Sequence, residues 1–517
     1  MFGFNSKKKQ EVIDKKLKSI QIDVNSDVLS NSIEENSETL KVIFKDNDVL
    51  VTRPINSEKK GELTYLIAYM DGLVNSIIIN DSIIKPLMLL DPDKQKNCSI
   101  DTLVNQVIMI NELKRADKWS EIIEAINYGD TILFANGANE ALILNSKGLQ
   151  TRSISEPDSE KILSGPREGF SESIITNLSM VRRKLRTNDL KMKFFTFGER
   201  TKTKTCVCYI DSLVNQNILK DLYKRLEKID IDGVLDSNYI TEMITDCRWS
   251  PFESIGSTER PDVVTAKLLE GRIAIFVDGT PVVITAPYLF IENFQSSEDY
   301  YLNFYYASFS RILRMLSFII TIIVPAYYIA IIAFHKEMLP TPFFISVTMG
   351  RETVPLPTAV EAFIMLITFD ILRETGIRTP SNVGQALSIV GALVIGQAAV
   401  EAKLISAPII IIVAITGITG LLVPKMNSAA FIFRYFLLAC GSLMGLEGVT
   451  IGISIILVHV LNLKSFGISQ FVVMKSLHFQ EIKDIAIRGP WWKMITRPNT
   501  ISDNKVRLKS SGENKDD

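Results

Sequence analysis

Six side chains that can carry charge or exchange hydrogen bonds interrupt the apolar C-terminal half of the chain. They are Glu361, Asp370, Gln385, Gln397, Glu401 and Glu447. A charged group at the centre of a membrane helix costs roughly 2.5–3.5 kcal/mol on insertion scales, so it must face a partner or water. Such residues either line a path for ions or bond one helix to another. For any single one of them the two interpretations are equally good.

The segment from Val383 to Glu401 joins three of these polar groups to a series of small residues. The small residues are Gly384, Ala386, Gly391, Ala392, Gly396 and Ala398. Small side chains let helices approach closely, or they leave a narrow surface that water can wet. Pore lining is therefore one interpretation of this segment, and tight packing without a pore is the other.

The residues needed for enzymatic chemistry are not arranged in any recognisable set. All three histidines lie beyond residue 330, so the N-terminal half has no Ser-His-Asp or Cys-His arrangement. The five cysteines form no CxxC pair, which argues against a zinc site. With 57 basic and 58 acidic residues, nothing in the global charge suggests a nucleic-acid partner. We expect a protein that is not an enzyme and that needs no cofactor and no metal.

The N-terminal half is predicted to be soluble and built twice. Tyr69–Asn75 (YMDGLVN) matches Tyr209–Asn215 (YIDSLVN), and Ile132–Gly137 matches Ala274–Gly279. Both matches have nearly the same offset, about 140 residues, which indicates two similar subdomains. In each unit a strand ends at an Asp and a helix follows.

Asp71 and Asp211, the two aspartates of this repeat, suggest helix N-caps, with a paired ligand site as the weaker alternative. Each unit then closes on two β-rich runs, Thr131–Asn145 and Gly271–Ala286. These are predicted hairpins with type I′ turns at Asn-Gly and Asp-Gly. The second unit is expected to carry an extra hairpin before them.

Long apolar runs predict four membrane spans in the C-terminal half. Met315–Phe334 has no formal charge over twenty residues, enough to cross a hydrocarbon core of about 30 Å. The other spans are Val383–Val400, Leu404–Val423 and Tyr435–Leu461, the last long enough to be tilted. Pro342–Ile371 contains prolines and acids around a short apolar stretch. It suggests a broken, re-entrant or interfacial element.

Aromatic and basic residues flank these spans as expected at a membrane surface. They are Tyr300, Tyr301, Tyr305, Arg311 and Arg314 before the first span, with Trp491 and Trp492 in the tail. Residues 464–509 hold nine Lys or Arg against three Asp or Glu, so the tail belongs inside. The N-terminus has no apolar signal region, so a cytoplasmic N-terminal half and an even number of crossings are expected; five spans would place the tail outside.

The predicted fold is therefore an α/β soluble region of two similar mixed α/β subdomains, followed by an α-helical polytopic membrane domain of four spans plus a re-entrant or interfacial element. The expected divisions are a polar lead-in (1–39), subdomain one (40–160), subdomain two (161–290), the helical membrane domain (291–463) and a basic cytoplasmic tail (464–517).

Several long motifs resemble the A subunit of GerA-type bacterial spore germinant receptors. They are GRIAIFVDGTPVVITAPYLFIENFQSSEDYY, FHKEMLPTP, RETVPLPTAVEAF, LRETGIRTP, VGQALSIVGALVIGQAAVEA, RGPWWKM and, in the soluble half, SGPREGFSESIITNLSMVRRKLR. The resemblance runs from about Leu40 to Pro498. It implies a subunit in the inner membrane of the spore that works with a B subunit and a C subunit.

The resemblance further implies that the chain oligomerises, as a ring, into a nutrient-gated ion channel that starts germination. A K⁺-channel filter sequence is absent, so ion selectivity cannot be derived from the sequence. Two alternatives remain: a non-conducting scaffold that couples the receptor to another effector, and a secondary transporter. The transporter is disfavoured because the visible repeat lies in the soluble half.

Overall fold

The computed structural model describes most of the chain and divides it into two compact units. Unit 1 holds Met1–Thr245, Ile255–Pro287 and Ile495–Asp517, and unit 2 holds Asp246–Ser254 and Tyr288–Met494. The described residues are 28–56, 63–90, 100–148, 156–157, 160–379, 391, 394–471, 484–494, 496–497, 501–502 and 506–507.

Unit 1 contains two five-stranded sheets with the same strand order. The first has β1 (Leu50–Asn56), β2 (Leu63–Met70), β3 (Leu113–Ala116), β4 (Thr131–Ala135) and β5 (Ala141–Leu144), in the order β1-β2-β4-β5-β3. The second has β6 (Leu190–Phe197), β7 (Thr203–Ile210), β8 (Gly256–Thr258), β9 (Ile273–Val277) and β10 (Val283–Ala286), in the order β6-β7-β9-β10-β8. The pairings between these strands are antiparallel. The prediction of two similar α/β subdomains is confirmed.

Helices cover these sheets because the strands are apolar on both faces. In β2, Leu66 and Ala68 face one side and Tyr65 and Ile67 the other, and all four are buried. The helices of unit 1 are α1 (Ile33–Ile43), α2 (Trp119–Tyr128), α3 (Ile174–Lys184), α4 (Gln216–Leu226), α5 (Ser237–Ile244) and α6 (Pro261–Leu269), with shorter helical segments at Ser76–Met88 and Ile100–Val107.

Two details of the repeat differ from the prediction. The hairpin β6–β7 is not extra, because β1–β2 occupies the equivalent place in the first sheet. The turns at Gly137 (φ 82°) and Gly279 (φ 89°) have positive φ at glycine alone, whereas type I′ turns need it at two successive positions. Five-residue loops, 136–140 and 278–282, let the strands turn without that strain.

Asparagines, not the predicted aspartates, cap the two repeated helices. Asn75 Oδ1 accepts the amide of Ile77 at 3.0 Å, and Asn215 Oδ1 accepts the amide of Asn217 at 3.0 Å. Asp71 instead accepts the adjacent amide of Gly72 at 2.9 Å. The aspartate precedes the start of the helix by about one helical turn, because the loop continues to the asparagine at the end of the YxDxLVN motif.

A buried arginine joins the two subdomains. Arg182, on α3, donates to Asn47 Oδ1 (3.3 Å) and Asn127 Oδ1 (3.3 Å) from the first and to the carbonyls of Thr187 (3.1 Å) and Leu190 (3.3 Å) from the second. Burial lowers the pKa of Arg182 to about 10. Its hydrogen bonds fix the two sheets relative to each other within one shared core.

The last described residues of the chain pack on subdomain two. Ser502 Oγ donates to the carbonyl of Leu213 at 2.6 Å, and Arg507 bonds Glu270 at 3.1 Å. A Cβ on Gly271 would come within 2.9 Å of the Ser502 side chain, so only glycine leaves room for this contact. The end of the chain is therefore part of unit 1.

Unit 2 is helical. Its helices are α7 (Phe304–Phe334), α8 (Thr341–Arg351), α9 (Thr358–Arg378), α10 (Ala407–Leu421) and α11 (Asn427–Asn462), followed by a two-stranded hairpin of β11 (Lys464–Ser465) and β12 (Ile468–Ser469). The segment Pro342–Ile371 is broken, as predicted, at Pro355 and Pro357. Its second part continues to Arg378 as a helix of 21 residues, because no further proline interrupts it.

The segment α11 is a pair of antiparallel helices and not the single tilted span expected over Tyr435–Leu461. Gly445 is non-helical (φ 59°, ψ −138°), and beyond it Gly452 lies against Leu437. The rings of Phe433 and His459 are 6.3 Å apart. Each arm has about 17 residues and is roughly 26 Å long at 1.5 Å per residue. We call this pair the glycine hairpin.

Neighbouring contacts give the direction of the other helices of unit 2. Ser406, just before α10, contacts Glu361 near the start of α9, and Gly417 contacts Phe369, so α9 and α10 run parallel. Thr419, near the end of α10, bonds Thr321 on α7 at 2.8 Å. Because Ile329, later on α7, packs in one cluster with residues from the start of α10, α7 runs the opposite way.

Candidate functional site

Asp370 is one of two acids that the sequence placed at membrane depth and that the structure buries beside an arginine. Its Oδ2 accepts from Arg434 at 2.5 Å and from the hydroxyl of Tyr435 at 2.8 Å. The side chains of Asp370 and Arg434 are 12% and 3% exposed. The pair joins α9 to the first arm of the glycine hairpin.

Glu361 is the second of these acids and is fully buried. Its Oε1 accepts from Arg351 at 3.1 Å, and its Oε2 accepts from the amide (3.0 Å) and hydroxyl (2.8 Å) of Ser406. A carboxylate with three charge-assisted or polar donors is stable away from water. Glu361 therefore joins α8, α9 and the start of α10, and both of its carboxylate oxygens are used within the protein.

Gln397 and Glu401 form a different kind of pair. Gln397 Nε2 donates to Glu401 Oε1 at 2.9 Å, one turn away on the same helix, and both side chains are exposed. Gly396 is buried, and a Cβ added to it would lie 3.8 Å from the Ile410 side chain. A Cβ added to Gly391 would lie 2.9 Å from the Leu372 side chain. This helix exposes Gln397 and Glu401 together with the apolar side chains of Val394 and Ile395, and it places Gly391 and Gly396 toward α9 and α10.

The two remaining candidates are not brought into this group. Gln385 lies outside the described residues. Glu447 is exposed, two residues past the bend of the glycine hairpin. Within the described part of the chain, no group of three or more His, Cys, Asp or Glu side chains is arranged to hold a metal ion.

The two predicted basic anchors lie inside a charged cluster. Arg311 is fully buried and bonds Asp299 (2.9 Å) and Asp484 (2.7 Å), and Arg314 also pairs with Asp299. Tyr300 completes the cluster through its hydroxyl on Asp484 at 2.8 Å. These arginines tie the start of α7 to the segment after the helices, so their charge is used within the protein.

The aromatic anchors remain largely accessible. Tyr301, Tyr305, Trp491 and Trp492 are 42–73% exposed. The ring of Tyr300 lies 5.9 Å from that of Trp491. A role for these side chains in lipid stays a prediction.

The sequence analysis missed the partners of the buried acids. Ser406 and Arg434 lie 45 and 64 residues along the chain from Glu361 and Asp370, and Arg351 lies 10 residues before Glu361, across the break at the prolines. The arginines within apolar sequence were the available signal, because a buried charge needs an opposite charge.

Two helical segments of the described chain are long and apolar enough to cross a membrane by length and composition, Phe304–Phe334 and Pro424–Asn462. The second contains the glycine hairpin. α10 is apolar but shorter.

Comparison with known proteins gives one consistent family. The model of the Bacillus/Clostridium GerA spore germination protein matches residues 38–500. Spore germination protein KA of Bacillus subtilis is 40% identical over 484 residues, covering 93% of this chain and 89% of the relative. Spore germination protein B1 of the same organism is 34% identical over 483 residues, covering 92% of this chain and 99% of the relative.

A solved structure also matches the first part of the chain. It is the N-terminal domain of the A subunit of the Bacillus megaterium spore germinant receptor GerK3, 34% identical, with a TM-score of 0.40; the match covers 51% of this chain and 97% of that one. The family match spans most of the chain, and the relatives are matched over nearly their full length. The chain belongs to the GerA spore germination protein family.

Proposed function

We propose that this chain is the A subunit of a spore germinant receptor and that several copies assemble in the spore inner membrane around an ion-conducting path. Its partners in this proposal are the B and C subunits of the same receptor. Opening of the path in response to a nutrient starts germination. Family membership supports the role in germination, and the arrangement of polar residues in unit 2 supports the path.

The observation that carries the conducting role is the exposed pair Gln397–Glu401. In a single copy these polar groups point away from the other described helices of unit 2. An acid that faces lipid costs roughly 2.5–3.5 kcal/mol at the centre of a membrane helix and less toward the helix end, where Glu401 lies. A ring of copies turns this face toward a shared, water-filled axis, while Gly391 and Gly396 let the helix pack closely behind it.

The direction of the helices supports the proposed topology. α7 runs opposite to α9 and α10, and the two arms of the glycine hairpin run opposite to each other; in this proposal the chain crosses the membrane an even number of times. An even number returns the chain to its starting side. This agrees with the contact of Ser502 with Leu213, which holds the end of the chain on the soluble subdomain. We place both on the cytoplasmic, core side, because the tail is basic.

Single-channel recording in planar bilayers tests the proposal. The full-length chain is reconstituted with its B and C subunits, with and without nutrient. We expect discrete conductance whose amplitude or ion selectivity changes in Glu401→Gln and in Gln397→Ala. Glu352→Gln is the matched control, an exposed acid in the loop after α8, and should leave conductance unchanged.

A bilayer that stays silent with correctly assembled complexes would contradict the conducting role. That outcome favours a scaffold that couples nutrient binding to another effector. Gradient-coupled, saturable uptake in place of discrete openings would favour a transporter.

A further inference from the structure

The loop Asp246–Ser254 carries an exposed basic and aromatic pair near its middle. Trp249 is 100% exposed, more than any of the other three tryptophans, and Arg248 beside it is also exposed. The loop lies between α5 and β8 of the soluble sequence, yet it belongs to unit 2. A fully exposed indole on a fixed loop is available for contact with a surface outside this chain.

The loop is held firmly at the open end of the glycine hairpin. Ser250 Oγ lies 2.9 Å from His459 Nε2, and the buried ring of Phe252 stacks on Phe433 at 5.0 Å. Ser465, just after the second arm, donates to the carbonyl of Ser254 at 2.6 Å. Trp249 therefore has a defined position, next to the residue that contacts His459.

A layer of phenylalanines relates this position to the apolar part of α7. The ring of Phe252 contacts that of Phe290 at 5.5 Å, Phe290 contacts Phe294 at 5.7 Å, and Phe294 contacts Phe318 at 5.7 Å. Phe318 lies in the first turn of the charge-free stretch that begins at Met315. The loop thus lies where the polar end of unit 2 meets its apolar helices.

Exposed basic residues flank the open end of the hairpin. Lys425 precedes the first arm and Lys464 follows the second, and both side chains are exposed, as is that of Arg248. The two acids of the loop, Asp246 and Glu253, are exposed as well. Tryptophan beside basic residues is the composition found at the headgroup level of membranes.

We propose that the loop Asp246–Ser254 is a membrane-surface contact, in which the Trp249 indole lies among phospholipid headgroups and Arg248 pairs with lipid phosphate. The proposal rests on the membrane insertion of unit 2 given under the proposed function. In this proposal a loop from the soluble half of the sequence binds the lipid surface beside the glycine hairpin.

Fluorescence quenching in vesicles tests this contact. The full-length chain is reconstituted into phosphatidylcholine and phosphatidylglycerol vesicles whose acyl chains are brominated near the headgroup. Trp491→Phe/Trp492→Phe retains Trp249 and the buried Trp119; adding Trp249→Phe leaves Trp119 alone. We expect brominated lipid to cause a loss of emission in the first variant and none in the second.

A second comparison tests the charge. Arg248→Gln should lose the extra quenching that phosphatidylglycerol gives over phosphatidylcholine, whereas Arg200→Gln, an exposed arginine of unit 1, should retain it. If brominated lipid does not quench the emission of Trp249, the proposal is wrong. So does emission that shifts only with the ratio of protein to lipid, because a second copy then covers the loop.

Alkaline carbonate extraction distinguishes a failure of membrane insertion from a failure of the loop contact. If carbonate removes the chain from the vesicles, the membrane part of the proposed function fails. If the chain remains inserted but Trp249 is not quenched, the loop contact alone is wrong.

Discussion

The rings of Phe433 and His459 lie 6.3 Å apart, although they come from opposite arms of one apolar segment. In a straight helix the same two residues would be separated by about 39 Å at 1.5 Å per residue. Their contact therefore requires the reversal at Gly445. The glycine hairpin places both ends of the segment, and the basic residues beside them, at one end of unit 2.

Gly445→Val should destabilise the glycine hairpin. Its φ of 59° with ψ of −138° is a conformation that costs a residue with a side chain about 1–3 kcal/mol, and an added Cβ would lie 2.9 Å from Phe334 and His335. We expect a lower melting temperature in detergent and a longer distance between spin labels at Phe431 and Leu461.

Gly350→Ala is the control for this change. It lies in α8, and a Cβ there meets nothing within 4 Å, so the variant should be neutral or gain up to about 1 kcal/mol. An unchanged spin-label distance in Gly445→Val would show that the reversal does not depend on glycine.

Asp370→Asn should leave Arg434 buried without its counter-charge, at a cost of about 3–5 kcal/mol. Glu374→Gln, on the same helix, removes the partner of Arg378 in an exposed pair worth about 0–1 kcal/mol. Thermal unfolding of the assembled protein measures both. Asp370→Leu/Arg434→Met should recover much of the loss; equal stability of the single variants would contradict a structural role for the pair.

Asn215→Ala should remove the N-cap of α4 and lower the free energy of unfolding by about 1 kcal/mol. Asp211→Ala, its neighbour in the repeat motif, should have a smaller effect because Asp211 accepts only from the exposed Gln216 side chain at 3.2 Å. Denaturant unfolding followed by circular dichroism compares the two. A larger effect at Asp211 would restore the aspartate as the cap.

Glu270→Gln should release the end of the chain from subdomain two. Burial raises the pKa of Glu270, but the positive charges of Arg272, Lys267 and Arg507 outweigh it, and the net pKa lies below the ordinary value. The bond to Arg507 is thus complete above the ordinary carboxyl pKa and is lost as pH falls through the lowered one.

Hydrogen exchange of residues 496, 497, 501, 502, 506 and 507, corrected for intrinsic rates, follows this release. In the native chain we expect protection at pH 7 that falls under acid conditions, and in Glu270→Gln weaker protection at pH 7 that converges with that of the native chain in acid. Asp232→Asn, which breaks the exposed pair with Arg200, should leave these residues unchanged. Equal protection in Glu270→Gln and the native chain would assign the docking to Ser502 alone.

The sequence predicted the soluble half better than the helical half. Repeated motifs such as YMDGLVN and YIDSLVN carry local turn and capping information, so the duplicated sheets were visible. The glycine hairpin was not, because Asn427–Asn462 is apolar over most of its length and contains no proline that would mark the reversal at Gly445. Asp370 was identified because a charged side chain is energetically costly in lipid. Its pairing with Arg434 arises from tertiary contacts that no local sequence pattern encodes.

The docking of Ser502 and Arg507 on subdomain two also constrains biogenesis. The groove beside Gly271 is filled only after the ribosome has synthesised every helix of unit 2. A chain truncated within those helices would leave this surface of subdomain two open. Subdomain two therefore gains this contact only after the helices of unit 2 have been synthesised, so its packing is completed later than that of subdomain one.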